Sequence, residues 1–280
     1  GQCRLIPCRD AWLAVNLPRA DDRSLLPAWL GVDEDAAESC IDAAIAEKGS
    51  ETLIEDAVLM GLAVSKVGER GCDQPYFHVT GGSDRRQPAQ KVIDMSSLWA
   101  GPVCGSILAA AGIAVETIDS RTRPDPVRSA TPAFDQILNG QKQRAALDFH
   151  DSDALRAELF SADILITSAR PRAFAALGIS PEQIWAENPA LTWIAITAHG
   201  WDAGDGMRVG FGDDCAAAGG LVAWRQEQPH FLGDALGDPL TGMLAGVKAL
   251  ETRHLGGAFL DMSLAGTSAM ASAFSTDELR

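Results

Sequence analysis

Residues 91–119 read KVIDMSSLWAGPVCGSILAAAGIAVETID, and the alternation of element types within this stretch decides the fold. Segment 91–95 is typical of a buried strand, 102–111 of a helix rich in small residues, and 115–119 of a second strand. The alternation continues with predicted helices and strands at 152–160, 164–167, 171–177, 181–187 and 191–197. Strands that alternate with helices at this spacing indicate an α/β fold, a parallel sheet with helices on both faces.

The chain before residue 68 has a different pattern from the rest. An alternating apolar run at 11–17 predicts a strand, and helices are predicted at 24–30, 35–48 and 50–60. We therefore predict three parts: a smaller N-terminal α+β segment, 1–67; a polar linker, 68–90; and a large domain with a Rossmann-like parallel sheet, 91–280. Later in the chain we predict helices at 213–223 and 238–253, a short strand at 258–260 and a final helix from Ser263.

The composition argues against several classes of partner. The 280 residues include 23 Lys and Arg against 38 Asp and Glu, a net charge of −15, and such an acidic surface repels nucleic acid. The sequence holds neither a signal peptide nor an apolar run of membrane length, so we expect no membrane partner and a cytoplasmic location.

Six cysteines without a CxxC pair indicate reduced thiols and no metal site. Because the first residue is Gly1 rather than Met, we expect a fragment, a processed chain or a tagged one.

Segment 237–242, GDPLTG, places one carboxylate among small, turn-forming residues just before a predicted apolar helix. Glycine permits close approach and proline presets the first helical turn, so a large substrate has room to reach Asp238. From the residues alone this acid is a covalent nucleophile, a general base or a helix cap, and all three interpretations stay open.

Arginines gather at the ends of the predicted strands, which is where ligands of parallel sheets bind. Arg121 and Arg123 follow one strand, Arg170 and Arg172 follow another, and Arg208 lies in a later glycine-rich loop. Guanidinium groups bind phosphate through paired hydrogen bonds. In so acidic a chain, arginines at several strand ends indicate an anionic ligand. The alternative, that they are ordinary surface arginines, is equally favoured.

Four further polar positions favour simpler interpretations. Lys142 is a lone cation near a predicted strand and is expected to be solvated. His199 lies at a strand end, where loop histidines are common and a catalytic role is the less frequent outcome. Asp213 and Asp214 precede a predicted helix, and capping of that helix is the favoured role.

In this order the motifs resemble those of the family III CoA-transferases, the group that includes formyl-CoA transferase and relatives of α-methylacyl-CoA racemase. The resemblance runs from about residue 91 to residue 274. It rests on 92–96, VIDMS; 100–102, AGP; Asn139 with Lys142 and 147–148, LD; 162–166, ADILI, with 170–171, RP; 177–179, LGI; 188–189, NP; Asp238 with 241–242, TG; and 260–264, LDMSL.

The resemblance implies a catalytic aspartate and a coenzyme A site, with no metal. Asp238 matches the catalytic aspartate of the family. The implied coenzyme A site has Trp99 and Ala100 in the loop that lines the acyl-CoA, Leu147 and His150 beside the nucleotide, and Ser168 and Ala169 beside the pyrophosphate. Arg170, Arg172 and Arg208 are the candidates to supply charge for the phosphates in place of that last pair. Ser168 and Ala169 depart from the Asn-Phe-type pair that is usual at that place.

The implied function is transfer of coenzyme A between an acyl-CoA and a carboxylic acid through an aspartyl covalent intermediate, in a homodimer. One alternative is an acyl-CoA racemase or isomerase with Asp238 as the base and His199 as its partner. Against this alternative, Phe211 stands where racemase relatives carry a histidine. The other alternative is a catalytically degenerate acyl-CoA-binding protein. The unusual Ser168-Ala169 pair and the small-domain-like segment ahead of the large domain favour this second alternative.

Overall fold

The computed structural model describes residues 2–73, 77–84, 87–149, 151–201 and 205–277. The chain divides into two compact units, and each is described by itself. The first unit comprises Gly1–Tyr76, Ala198–Asp238 and Ser263–Arg280, and the second comprises Phe77–Thr197 and Pro239–Met262. Of the predicted site residues, His150 lies outside the described residues.

The described elements have the following bounds. The strands are β1 (Cys3–Pro7), β2 (Trp12–Asn16), β3 (Ala63–Lys66), β4 (Phe77–Asp84), β5 (Lys91–Met95), β6 (Ala114–Ser120), β7 (Gln143–Leu147), β8 (Ile164–Thr167), β9 (Thr192–Thr197), β10 (Val222–Arg225), β11 (Gln228–Phe231) and β12 (Leu255–Ser263). The helices are α1 (Leu26–Leu30), α2 (Glu38–Ala46), α3 (Ser50–Met60), α4 (Ala100–Ala110), α5 (Val127–Ala130), α6 (Pro132–Asn139), α7 (Ser152–Phe160), α8 (Pro171–Ala176), α9 (Pro181–Glu187), α10 (Gly212–Ala218), α11 (Gly237–Glu251) and α12 (Leu264–Asp277).

The first unit contains an antiparallel sheet in the order β1-β2-β3, and α1, α2 and α3 contribute to its core. Apolar residues four apart on α2, Ile41 and Ile45, share one helix face and are buried. They belong to the same core as Trp29 of α1 and Leu53 of α3, and the Trp29 Nε1 donates to the Leu53 carbonyl at 3.0 Å. The α+β character predicted for the N-terminal segment is therefore confirmed.

The second unit is built on a sheet in the order β4-β12-β9-β8-β5-β6-β7. From β9 to β7 every neighbouring pair of strands is parallel, whereas β4 pairs with β12 antiparallel. The predicted α/β fold with a parallel sheet is therefore confirmed. The strands β6 and β7 lie on one side of β5, and the strands β8 and β9 lie on the other, so the strand order reverses between β5 and β8.

An aromatic cluster anchors the centre of the second unit. Trp193 on β9 is fully buried and meets Phe174 of α8 edge-on with ring centroids 5.0 Å apart. Phe259 of β12 meets the same indole at 5.5 Å, and the Trp193 Nε1 donates to Thr167 Oγ1 at 2.9 Å. The only polar atom of the indole thus has a hydrogen-bond partner, which buried tryptophans need.

Several predicted elements differ in the structure. The polar segment 68–90 contains β4, and the helix predicted at 213–223 ends at Ala218. Gly220 follows that helix with φ 72°, a left-handed conformation that glycine adopts without strain, and the chain then forms the β10-β11 hairpin. The domain boundaries 1–67, 68–90 and 91–280 stay a prediction.

Candidate functional site

Asp238 lies in the first turn of α11 rather than in a turn before the helix, and it is only 8% exposed. Its backbone N–H donates to the Ala235 carbonyl at 2.9 Å, which closes a turn ahead of the helix. Ala235 itself has φ 47°, an uncommon conformation for a residue with a side chain. The Asp213 Oδ1 accepts a hydrogen bond from the Ala235 N–H at 2.7 Å and so holds this strained turn in place.

Two glycines allow the starts of α10 and α11 to meet around the Asp238 carboxylate. A Cβ on Gly212 would lie 2.7 Å from Asp238 Oδ2 and 2.5 Å from the Ala235 carbonyl. A Cβ on Gly237 would lie 2.8 Å from the Gly212 carbonyl. Any side chain at either glycine would displace the turn or the carboxylate, so both positions are restricted by close approach of the backbone.

The surroundings of Asp238 make its carboxylate unusually basic. Burial raises the pKa of Asp238 to about 7, the negative charges of Asp214 and Asp213 add to the rise, and a hydrogen bond from the Gly212 backbone lowers it. A carboxylate with this pKa is a stronger base than an exposed aspartate and still ionises near neutral pH.

Asp214 is the second buried acid of this cluster and was not among the predicted catalytic residues. It is fully buried and accepts hydrogen bonds from Asn16 Nδ2 at 2.9 Å and from the Phe211 backbone N–H at 3.0 Å. Burial raises the pKa of Asp214 to about 7, while the bonds from Asn16 and Phe211 lower it. The Phe211 bond is the helix-capping role that the sequence favoured; the bond to Asn16 was unforeseen because it spans 198 residues.

His199 and Arg208 each have a partner within the first unit. The His199 Nε2 lies 3.4 Å from Ser65 Oγ, and burial lowers the pKa of His199 well below its ordinary value, with the charges of Arg208 and Arg70 acting in the same direction. A histidine with so low a pKa is a weak base at neutral pH, which does not favour it as the proton partner of Asp238. The Arg208 Nη2 forms an ion pair with Glu69 Oε1 at 2.5 Å, and its predicted phosphate contact stays a prediction.

The reversal of strand order marks a candidate ligand site within the second unit. Ligands of open parallel sheets bind at the carboxyl ends of the strands where the order reverses. Loop 96–99 follows β5 at this point, and Ser168 follows β8. The Ser97 N–H donates to Ser168 Oγ at 3.0 Å, so the two loops are joined directly. Trp99, half-buried, packs edge-on against Phe134 with centroids 4.9 Å apart.

The other predicted binding residues of the second unit lie along the same edge of the sheet. Ala100 is buried at the start of α4, and Ala169 is exposed after β8. Arg170 is half-buried just before α8, and Arg172 is exposed in its first turn. Leu147 ends β7, where its carbonyl accepts a hydrogen bond from the Arg121 N–H at 2.9 Å. The structure thus places these residues at the ends of β5, β7 and β8, while Asp238 and Arg208 belong to the first unit.

Lys142 contradicts the expectation that it is solvated. Its side chain is fully buried, with Nζ 2.8 Å from Asp94 Oδ2 of β5. Burying an ammonium group without a counter-charge is costly, so this position depends on Asp94. Asp94 itself stood in the VIDMS motif, but the sequence carried no sign that the two side chains pair.

Two structural findings bear on metals and membranes. The described residues contain no group of three or more His, Cys, Asp or Glu side chains placed to hold a metal ion. Within the same part of the chain, no helix has both the length and the hydropathy needed to cross a bilayer.

The chain is similar in sequence to several CoA-transferases. The profile of CoA-transferase family III matches residues 90–275. A succinyl-CoA--D-citramalate CoA-transferase from Chloroflexus aurantiacus is 26% identical over 177 residues, which are 59% of this chain and 44% of that protein. A CaiB/baiF CoA-transferase family protein from Caenorhabditis elegans is 27% identical over 198 residues, 66% of this chain and 56% of that protein. The chain thus spans about half the length of these curated relatives.

Two solved structures share the fold. A hypothetical protein from Mycobacterium tuberculosis superposes with a TM-score of 0.60 at 18% identity, covering 70% of this chain and 60% of that one. A CAIB/BAIF family protein from Brucella suis gives a TM-score of 0.59 at 21% identity, with 70% and 58% covered. At these identities the likeness shows the fold alone.

Proposed function

This chain belongs to CoA-transferase family III, and we propose that it moves coenzyme A from an acyl-CoA thioester to a carboxylic acid, with Asp238 as the covalent nucleophile. The observation that carries the proposal is the Asp238 carboxylate in the first turn of α11, packed so closely against Gly212 that any side chain there would displace it. Its pKa, raised to about 7 by burial and by Asp214 and Asp213, favours nucleophilic attack by the ionised form.

The proposed reaction proceeds through acyl groups on Asp238. The ionised carboxylate attacks the thioester carbonyl of the acyl-CoA, and the coenzyme A thiolate leaves to give a mixed anhydride. The thiolate then attacks the aspartyl carbonyl of the anhydride, which releases the first carboxylic acid and leaves an aspartyl-CoA thioester. The acceptor carboxylate repeats both steps in the opposite sense and leaves as the new acyl-CoA. Each step replaces one acyl bond by another. The general advantage of covalent catalysis is that it divides one difficult exchange into several easier steps.

We place coenzyme A at the reversal of strand order in the second unit. Trp99 and Ala100 follow β5, and Ser168 and Ala169 follow β8. The hydrogen bond from Ser97 to Ser168 joins the two loops at the place where parallel sheets bind ligands. Arg170 and Arg172 supply positive charge at the start of α8 for the phosphates. Leu147 and His150 are proposed beside the nucleotide, and Arg208 as a further phosphate contact.

The names of similar proteins suggest the first substrates to test. Two Chloroflexus relatives are named for succinyl-CoA as donor, with D-citramalate or L-malate as acceptor. We therefore propose a short dicarboxylic acyl-CoA as the donor class, and a hydroxy dicarboxylic acid as the acceptor class. The homodimer and the cytoplasmic location stay predictions.

Asp238→Asn tests the proposal, because asparagine keeps the shape of the side chain but cannot form an acyl anhydride. We expect transfer from succinyl-CoA to a panel of dicarboxylic acids to be abolished in this variant, with thermal unfolding close to that of the parent chain. Chromatography of the acyl-CoA products measures the transfer. The matched control is Asp234→Asn, which changes an exposed acid four residues earlier and is expected to retain activity. Sustained turnover by Asp238→Asn contradicts the assignment.

A further inference from the structure

Lys142 and Asp94 form a buried ion pair beneath the first turn of α4. The Lys142 Nζ donates to Asp94 Oδ2 at 2.8 Å, to the Pro102 carbonyl at 2.9 Å and to Asn139 Oδ1 at 2.8 Å. An ammonium group has three protons, so all of its donors are used. The one side chain therefore ties together β5, the start of α4 and the end of α6.

The second oxygen of Asp94 fixes the beginning of loop 96–99. Asp94 Oδ1 accepts a hydrogen bond from the Ser96 backbone N–H at 3.1 Å and another from the Ser96 hydroxyl. One carboxylate thus connects Lys142 on one side with the first loop residue on the other. A change in the pair acts directly on the backbone that leads to Trp99.

Two glycines of helix α4 allow its backbone to pack closely against this pair and against Ser96. A Cβ on Gly105 would lie 2.7 Å from both Asp94 Oδ2 and Lys142 Nζ. A Cβ on Gly101 would lie 2.0 Å from Ser96 Oγ. The first two turns of α4 therefore fit the pair only because these positions carry no side chain.

The rest of loop 96–99 is held in an uncommon conformation. Leu98 has φ 64°, and its N–H donates to Asp125 Oδ2 at 2.8 Å. The preceding N–H, that of Ser97, donates to Ser168 Oγ. A strained backbone persists only where its surroundings over-determine it, and such places cluster at functional sites.

We propose that the buried Asp94–Lys142 pair is a positioning device that fixes loop 96–99 and the first turn of α4 where the acyl-CoA is proposed to bind. A buried ion pair contributes little net stability compared with apolar residues of the same volume, so stability alone is a poor reason for it. The hydrogen bonds of the pair join loop 96–99, the start of α4 and the end of α6. They therefore hold the backbone at Trp99 and Ala100 in a single conformation. The inference rests on the proposed function, since it assigns the pair to the same coenzyme A site.

The test is the double variant Asp94→Asn/Lys142→Met, which removes both buried charges and leaves neither uncompensated. Asparagine keeps an oxygen for the Ser96 bonds, while methionine fills the volume of the lysine without the bonds to Pro102 and Asn139. Labelling with 5-fluorotryptophan gives a ¹⁹F resonance for each of the seven tryptophans, and Trp99→Phe assigns the one at position 99. The resonance of Trp29, buried in the other unit, serves as the internal reference.

We expect the folded double variant to show a shifted or broadened Trp99 resonance with the Trp29 resonance unchanged. We also expect kcat/KM for succinyl-CoA to fall about 100-fold, mostly through KM, because a small misplacement of a binding loop has effects of that size. The control is Lys91→Met at the other end of β5, where Nζ donates to Ser161 Oγ at 2.7 Å. That variant is expected to match the parent chain in both readouts.

A folded double variant with the parent Trp99 resonance and the parent KM overturns the proposal and leaves the pair a structural feature only. If the double variant does not fold, Ser96→Ala removes one bond to Asp94 and is judged by the same two readouts. If the full chain transfers no coenzyme A at all, the proposed function fails, while the Trp99 resonance still decides the positioning role.

Discussion

The Asp238 side chain is subject to two opposing influences on its pKa. Burial and the neighbouring charges of Asp214 and Asp213 favour the protonated acid. The first turn of a helix and the bond from the Gly212 backbone favour the carboxylate. Burial and repulsion prevail, and the pKa of Asp238 is raised to about 7. The result is a carboxylate that is more basic than usual and still available to react near neutral pH.

The pH dependence of transfer follows from this raised pKa. Only the ionised carboxylate attacks a thioester, so we expect kcat/KM to rise with pH through a midpoint near 7, the raised pKa of Asp238, and then to level off. Asp213→Asn removes one repelling charge while its oxygen can still accept the Ala235 N–H bond. This variant should therefore lower the pKa of Asp238 and move the midpoint to lower pH.

Steady-state rates between pH 5 and 9 check the pH prediction. Asp21→Asn, an exposed acid in the first unit, is the control and should leave the midpoint where it is. A rate that is already level at pH 5, as an aspartate with the ordinary pKa near 4 would give, would show that the carboxylate is not perturbed. A midpoint that does not move in Asp213→Asn would equally contradict the electrostatic account.

Gly212→Ala is a second prediction at the residue scale. The added methyl would lie 2.7 Å from Asp238 Oδ2 and 2.5 Å from the Ala235 carbonyl, too close for either to stay in place. We expect kcat/KM to fall about 100-fold through misplacement of the carboxylate. Gly233→Ala, where nothing lies within 4 Å of the added atom, is the control. Equal activities of the two variants would show that the contact is unimportant.

At the scale of elements, helix α8 positions the arginines proposed for the phosphates. It is short, and its attachment to the sheet depends on Phe174, which is 3% exposed and packs on Trp193 of β9. The same indole contacts Phe259 of β12 and bonds to Thr167 at the end of β8. One aromatic cluster therefore holds α8 against the strands whose ends form the proposed binding edge.

Phe174→Ala tests this attachment. Removing a buried phenylalanine leaves a cavity beside Trp193, and we expect the free energy of unfolding to fall by about 3–5 kcal/mol. Urea denaturation followed by tryptophan fluorescence measures the change. Phe274→Ala, in which the lost ring is 69% exposed, is expected to change the unfolding free energy by less than about 0.5 kcal/mol. A loss of similar size in both variants would contradict the role given to the cluster.

Across the whole molecule, the elements that the sequence predicts well are those with strong local signals. The stretch from β5 through α4 to β6 alternates clearly, and Ser152–Phe160 has the predicted helix bounds. The β10-β11 hairpin was missed because its turn residues, Gln226 and Glu227, have φ 49° and 63°, where glycine or asparagine is expected. Strand β4 lies within the predicted linker, and its sequence, FHVTGGSD, is polar and glycine-rich and so carries no local signal for a strand.

The candidate site shows the same division between local and distant information. The prediction of Asp238 rests on the turn residues that surround it in the sequence. Lys142 was expected in solvent because its counter-charge lies 48 residues earlier, on β5. The bond that holds Asp214 comes from Asn16, 198 residues away. Contacts between distant residues decide burial and pKa, and no local pattern reports them.

Trapping of the covalent intermediate on the full chain tests the central claim most directly. The chain is incubated with succinyl-CoA, treated with hydroxylamine, digested and mapped by mass spectrometry, since hydroxylamine converts an acylated aspartate to a stable hydroxamate. We predict a hydroxamate on Asp238 that is absent without succinyl-CoA and absent from Asp238→Asn. An unmodified Asp238 in a chain that still carries out the transfer would contradict the account.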